Sequence, residues 1–302
     1  AQIYAGRQDL ANMAKYYEGL IKNFPKTSPA ALAEAHFLLG RAAFDQGDFQ
    51  SSISHMSEAK TLDPQKYGEQ VNVLTVLSYH KLQDVNKLKE ALETLQKENP
   101  AAVSRVPDVI PAWLGLQAYG MKDLETADKY MTWATQNDQL QNVKKVIWRN
   151  LAKVRLALKK YDRALVASNN FLKVEDQPYR RADGMLDKAS ILLGLGKYAE
   201  ARKTAEEALA LGVEGPLMAS LKIVLGDISY AEKKFDEAAK HYGVTAELFV
   251  NDAELKPKAL FKAAEALDKA GRKSEASQYR ARLQKEFPDW KQEGESLPPD
   301  AR

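Results

Sequence analysis

Cysteine is missing from all 302 residues, which excludes disulfides, thiolate metal sites and a cysteine nucleophile, and removes mispairing as a hazard in an oxidising compartment. Histidine is scarce: His36, His55, His80 and His241 are dispersed, with no His-Glu-x-x-His or comparable ligand spacing, so no metal is expected and surface or groove histidines are the simplest reading. No apolar run approaches the roughly eighteen residues that would span a bilayer. Charge of one sign is lacking too. Lys plus Arg number 44 against 41 Asp plus Glu, so the whole chain makes no case for a polyanionic partner. There is no Gly-x-x-x-x-Gly-Lys-Ser/Thr loop and no Gly-x-Ser-x-Gly elbow, and Gly194-Leu195-Gly196-Lys197 reads as a turn that ends a helix. Asp183 and Asp187, one helical turn apart, could pair as carboxylates but read most simply as a solvated face. No catalytic residue and no cofactor is expected. The opening Ala1-Gln2-Ile3 has neither a basic n-region nor an apolar h-region, as in a processed or trimmed chain.

What is present is a period. A small or apolar residue taken to begin the second helix of a hairpin recurs at Met13, Ser52, Leu88, Ala127, Ala164, Ala201, Ala238 and Ala276, at separations of 39, 36, 39, 37, 37, 37 and 38. Three residues before the last seven stand Phe49, Val85, Leu124, Tyr161, Tyr198, Phe235 and Lys273, with only Lys273 not apolar. Twelve residues before them stand Gly40, Val76, Gly115, Ala152, Ala189, Gly226 and Ala264, where a small side chain lets two helix backbones approach, and only Val76 is bulky. Apolar residues three or four apart, as in Leu151, Val154 and Leu158, predict helix, and strand alternation is absent. Gly47-Asp48, Gly196-Lys197 and Gly271-Arg272 mark reversals, while Pro64, Pro100 and Pro288 are expected to end second helices. Each hairpin alone would leave an apolar face wet, so neighbours must stack.

The combination resembles the tetratricopeptide repeat. Leu39, Gly40, Gly47, Phe49, Met56, Ala59 and Pro64 sit at that family's spacing, and Leu225, Gly226, Phe235, Ala238 and Tyr242 repeat it. The resemblance implies an all-α, right-handed superhelical solenoid of antiparallel helix pairs over residues 1–290. Seven repeats are expected to start near 33, 69, 108, 145, 182, 219 and 257, after a lone helix at 9–25, with a loose tail at 291–302 and Trp290 capping the last helix. The spacing exceeds the family's ~34 residues by a few, implying longer turns or helices. Tyr16, Leu20 and Phe24-Pro25, and again Tyr279, Leu283 and Phe287-Pro288, are similar to bacterial envelope-associated members, which points to the periplasm or envelope, with the cytoplasm as the alternative.

In the family, first helices line a concave groove. Carried over by register, the early groove positions are Phe37, Arg41, Phe44, Val73, Leu77, His80, Trp113, Leu116 and Tyr119; Val73 and Leu116 are read as packing between helices, and Trp113 and Tyr119 as anchors. In the repeat from 145 the register presents Arg149, Asn150 and Lys153, suited to a carboxylate. The likeness to the carboxylate clamp of chaperone-binding members is partial, because the next first helix offers Asp183, Asp187 and Ser190. Later positions include Asp227, Tyr230, Phe261 and Glu265. Lys144, Lys145, Arg149, Lys153, Arg155, Lys159, Lys160 and Arg163 face only Asp162, which is +7 within residues 144–163. That run reads either as a solvated face or as an orienting patch. The leading expectation is a scaffold that binds a peptide or helical segment of another protein; a self-assembling envelope subunit comes second. An anionic polymer such as nucleic acid comes third, because Trp148 and Tyr161 are needed for packing rather than for stacking on bases.

Overall fold

The computed structural model describes residues 10–26, 28–136, 141–248 and 253–291, and among them every regular element is a helix. Most of the expected tail, residues 292–302, lies outside the described residues. The α-helices are α1 Leu10–Asn23, α2 Pro29–Asp45, α3 Phe49–Leu62, α4 Pro64–Lys81, α5 Val85–Glu98, α6 Val109–Gly120, α7 Leu124–Ala134, α8 Gln141–Ala157, α9 Tyr161–Val174, α10 Pro178–Gly194, α11 Tyr198–Ala210, α12 Gly215–Ala231, α13 Phe235–Leu248, α14 Leu255–Lys269 and α15 Lys273–Glu286. A 3-10 helix, Pro100–Arg105, stands between α5 and α6.

The helices gather into two compact units, one ending at Lys122 and the other beginning at Asp123. In the first unit, packing runs from each helix to its neighbour in the chain, and α2 also touches α4. The second unit repeats this from α7 to α15, with α8 on α10, α10 on α12 and α12 on α14. Each is therefore a stack of antiparallel helix pairs, and the fold class is an all-α solenoid. A stack of this kind needs no single centre. The core is a chain of local clusters, such as Phe37, Met56, Ala59, Tyr67 and Val71 in the first unit, and Tyr230, Ala238, Tyr242, Ala263 and Leu267 in the second.

The period has a backbone cause. Gly47, Gln83, Lys122, Lys159, Gly196, Lys233 and Gly271 all have left-handed φ, between 56° and 84°, and each stands five residues before one of the last seven periodic positions. At Gly47 the amide donates to Phe44 O and the next amide, Asp48, reaches back to Ala43 O; Lys159 with Lys160 and Lys233 with Lys234 repeat the pattern. This is the Schellman ending of a helix. The following residue already caps the second helix: Asp48, Asp84 and Asp123 accept from the amides of Ser51, Lys87 and Thr126. Three residues thus join the helices of a pair, and second helices begin at Phe49, Val85, Leu124, Tyr161, Tyr198, Phe235 and Lys273. The periodic alanines lie one turn inside those helices rather than at their starts.

The extra residues per repeat lengthen the first helices. Pro29, Pro64 and Pro178 occupy the first helical position, where no amide partner is lost, so α2, α4 and α10 begin four or five residues before the expected starts. Pro64 therefore opens a helix as well as closing one, with Asp63 serving as C-cap of α3 and N-cap of α4. Pro100 begins the 3-10 helix, which the period did not foresee. Where Gly226 faces α13, an added Cβ would lie 2.4 Å from the ring of Tyr242. That ring is buried, and its hydroxyl donates to Asp227 at 2.6 Å.

Gly226→Ala should cost ~1–3 kcal/mol, because the Tyr242 ring has no free space to enter; urea unfolding followed by far-UV circular dichroism reads this. Conversely, Lys159→Gly and Lys233→Gly should each raise stability by ~0.5–1 kcal/mol, since a lysine in the left-handed region carries a steric cost that glycine lacks; thermal melts of the single and double variants test additivity.

Candidate binding surface on the first helices

In the first unit the proposed groove positions separate into two kinds. Phe37 is buried at 8% exposure and stacks on Tyr67 with ring centroids 4.7 Å apart, so it belongs to the core and not to a groove. Arg41 is exposed, and Phe44, Val73, Leu77, His80, Trp113, Leu116 and Tyr119 all keep partial exposure. Phe44 lies edge-on to Phe49 across the hairpin turn, at 5.4 Å. His80 of α4 meets Trp113 of α6 edge-on at 5.5 Å, so these two aromatics join neighbouring first helices. Burial, followed by the charge of Lys81, lowers the pKa of His80 from its ordinary value, which leaves the ring neutral at pH 7. The face that results is apolar and aromatic, with Arg41 at one side.

The second unit treats the same helical face differently. Tyr230 is 6% exposed and packs edge-on against Phe235 at 5.2 Å, which corrects its placement in the groove. Asp227 is occupied by the Tyr242 hydroxyl and by Lys262 at 2.9 Å. Asn150 donates to the carbonyl of Val146, one turn back in its own helix. Trp290 returns onto α14, 5.6 Å from Phe261.

The cations of residues 144–163 meet carboxylates one repeat away. Arg149 pairs with Asp183; Arg149 and Lys153 lie 3.8 and 4.0 Å from Asp187. Lys145 reaches Asp176 at 3.2 Å, and Lys160 binds Glu125 at 2.7 Å and Asp128 at 3.0 Å. Arg155, 7% exposed, holds Asp128 at 2.8 Å and also donates to Thr132 and to the carbonyl of Arg163. Burial raises the Asp128 pKa, but the hydrogen bonds and charges of Arg155 and Lys160 outweigh it and hold the carboxyl below its usual value. Five of the eight cations are thus committed inside the chain. The carboxylate that Arg149 holds is the chain's own Asp183, and Asp183 with Asp187 is a half-buried pair rather than a solvated face. Lys159 and Arg163 are the cations of the run that stand exposed.

Asp187 is the group under most electrostatic tension. Its side chain is 14% exposed and its inner oxygen has no hydrogen-bond partner among the described residues. Burial pushes the carboxyl up to about 6 from 3.8; Lys153 and Arg149 pull it down without compensating, and Asp183 adds repulsion.

Sequence reasoning missed these pairings because the partners lie about one period along: 34 residues from Arg149 to Asp183, and 35 each for Lys160 with Glu125, Arg202 with Glu237 and Lys262 with Asp227. Pairs at helical spacing, three or four residues apart, give no sign of them; the signal lies at the repeat spacing. Among the described residues no group of three or more His, Asp or Glu side chains could hold a metal ion by itself, and no helix is long and apolar enough to cross a membrane.

Three segments match tetratricopeptide-repeat family models: residues 33–66, 186–249 and 258–289. No curated protein matches the chain. Among solved structures it is similar to the apo form of RapI, at 15% identity and a TM-score of 0.52, covering 86% of this chain and 78% of that one. It is also similar to a chain of the Naa15/Naa10 complex bound to HypK-THB, at 15% identity and a TM-score of 0.55, over 95% of this chain and 41% of that one. A third is the apo quorum sensor NprR from B. thuringiensis, at 14% identity and a TM-score of 0.48, over 94% and 84%. With RapI and the Naa15/Naa10 chain the likeness, at 15% identity, is one of fold, and the matched segments and the stacked pairs agree in supporting tetratricopeptide repeats.

The folded pKa of Asp187 lies above the unfolded value, so ionisation weakens the fold as pH rises from about 4 through about 6. Asp187→Asn should therefore be more stable than wild type by ~1–3 kcal/mol at pH 7.5, with the difference vanishing near pH 4. Paired thermal melts across that range measure it; a deficit at pH 7.5 would mean that the attraction of Arg149 and Lys153 dominates.

Proposed function

We propose that this chain of tetratricopeptide repeats is a non-enzymatic protein-interaction scaffold whose first unit seats an apolar peptide or helical segment of another protein along α2, α4 and α6. The observation that carries the reading is the contact of His80 with Trp113, two partly exposed aromatics on successive first helices, flanked by Leu77, Leu116 and Tyr119. Rigid aromatic side chains that are already packed lose little freedom when a partner covers them, which is why such residues anchor interfaces. With His80 neutral, hydrophobic burial rather than charge supplies the attraction, and an amphipathic segment would lay its apolar face there.

The arrangement in the second unit turns the proposal away from a central cationic patch. Arg149 and Lys153 would have to abandon Asp183 and Asp187 before they could orient a ligand, and exchanging one carboxylate for another gains little. An anionic polymer would find Lys159 and Arg163 as the exposed cations of the run. Self-assembly through the same aromatic face is the second reading. On the Tyr, Leu and Phe-Pro pattern at both ends of the sequence, we place the partner in the bacterial envelope.

Trp113→Ala should weaken capture of a specific partner from a bacterial envelope extract at least tenfold. Lys159→Glu with Arg163→Glu should leave capture unchanged, and raising the salt should matter little. Loss of capture in the charge variant alone would move the interface to the basic run. Mass that rises with concentration in wild type and falls in Trp113→Ala would make the partner a second copy of the chain.

A further inference from the structure

The four histidines are dispersed in sequence, yet two of them meet. His36 on α2 and His55 on α3 face each other across the first full hairpin, with their Nδ1 atoms 3.1 Å apart and their ring centroids 5.3 Å apart. At that separation one Nδ1 carries a proton and the other a lone pair, forming an N–H···N hydrogen bond. We propose that this pair is a proton-operated latch on the first helix pair, closed while a single Nδ1 proton lies between the rings and opened when acid adds a second.

Proton bookkeeping gives the latch two steps. In the neutral pair the donor ring has a bare Nε2, and the acceptor ring carries its proton on Nε2. A first added proton goes to the donor's Nε2; the Nδ1–H···Nδ1 bond survives and becomes charge-assisted. A second has only the acceptor's Nδ1 to go to, which sets two N–H groups and two positive rings against each other. The helices give them little room. A Cβ on Gly40 would come within 3.0 Å of Met56 Cγ and 3.1 Å of the Ser52 carbonyl; His36 is one turn before Gly40, and His55 adjoins Met56. The doubly charged pair relieves itself by turning a ring outward or by prising the helices apart, and either one removes the cross-link from the hairpin.

The surroundings set the range. Burial, then His55, holds His36 below the ordinary histidine value of 6.5, with Glu58 opposing; burial also lowers His55, against Glu18, Asp48 and Glu58. Those carboxylates come from α1, the α3 cap and α3 itself, while on α4, which packs on both helices, Lys66 lies over the ring of Tyr67. Because each ring protonates less readily folded than unfolded, the contribution of the closed pair is complete above about 6.5 and is lost as pH falls below it. Phe37 adjoins His36 and stacks on Tyr67 of α4, so slack in this hairpin reaches the joint between first helices. On the binding surface proposed above, on which this consequence rests, acid would loosen a partner held along α2.

The first test is long-range nitrogen–proton NMR of the histidine rings in the wild-type chain, which depends on no variant. At about pH 7.5 one of His36 and His55 is expected as the Nδ1–H tautomer and the other as Nε2–H, and the pair should titrate in two separate steps as the pH is lowered. The second is amide hydrogen exchange, corrected for its intrinsic pH dependence. Between about pH 7.5 and about pH 5, protection in α2 and α3 should fall about tenfold relative to α12 and α13. His55→Gln keeps an acceptor for His36 but takes no second proton, so it should abolish that fall, and His80→Gln should retain it. Two Nε2–H rings at pH 7.5, or an equal fall in His55→Gln, would overturn the latch and leave the binding surface standing. A chain that passes both tests yet captures no partner at pH 7.5 would sink the binding surface and leave the latch.

Discussion

The rest of the structure depends on a three-residue reversal. Each one places a residue at left-handed φ, from Gly47 to Gly271, and hands the chain directly from the end of one helix to the cap of the next. With no slack in the turn, the two helices of a pair must lie antiparallel and close. The residues facing each other are then set by counting: the small side chain of the first helix meets the second helix about two turns inside its start. Gly40 against Met56 and Gly226 against Tyr242 are that contact in the two units. At four of the seven reversals the protein accepts a lysine or glutamine in a strained conformation. The register of the hairpin is therefore worth more than the local cost.

Once the register is set, polar groups follow it. Several ion pairs run between equivalent places in successive pairs, 34 or 35 residues apart; the most buried pair, Arg155 with Asp128, spans 27 residues and is hydrogen-bonded further through Thr132, Lys160 and the Arg163 carbonyl. A charge buried that way is strongly destabilising to break and contributes modestly when intact. Its effect is to make one stacking arrangement much better than its neighbours. Asp187 shows the same device less well satisfied, with an inner oxygen that Arg149 and Lys153 approach only to 3.8 and 4.0 Å and that has no hydrogen-bond partner among the described residues.

These commitments differ between the two units. In the second unit, Arg149, Lys153, Asp183, Asp187, Asp227 and Lys262 on the first-helix face are matched within the chain. In the first unit that face ends in aromatics that keep some exposure, with the exposed Arg41 at one side, and these aromatics carry the binding proposal. Phe37 and Tyr230 show why register alone could not separate the two kinds. Both occupy groove positions by counting. Phe37, however, meets Tyr67 from the next first helix, and Tyr230 lies against Phe235 across its own turn, so both are covered.

The sequence by itself determined the helices, their pairing and their period. Those follow from local chemistry: helical spacing of apolar residues, proline at helix starts, and small residues where backbones must meet. The placing of Trp113, Tyr119 and His80 on first helices was legible in the same way, by register. Which side chains remain available was decided only by the tertiary structure. The +7 run read only as a solvated face or an orienting patch because its partners, Asp128, Asp183 and Asp187, lie about a repeat away in sequence. His36 and His55 looked unrelated because 19 residues separate them. Availability is a property of what stands opposite, and for these groups in a stacked fold that is a residue from another helix.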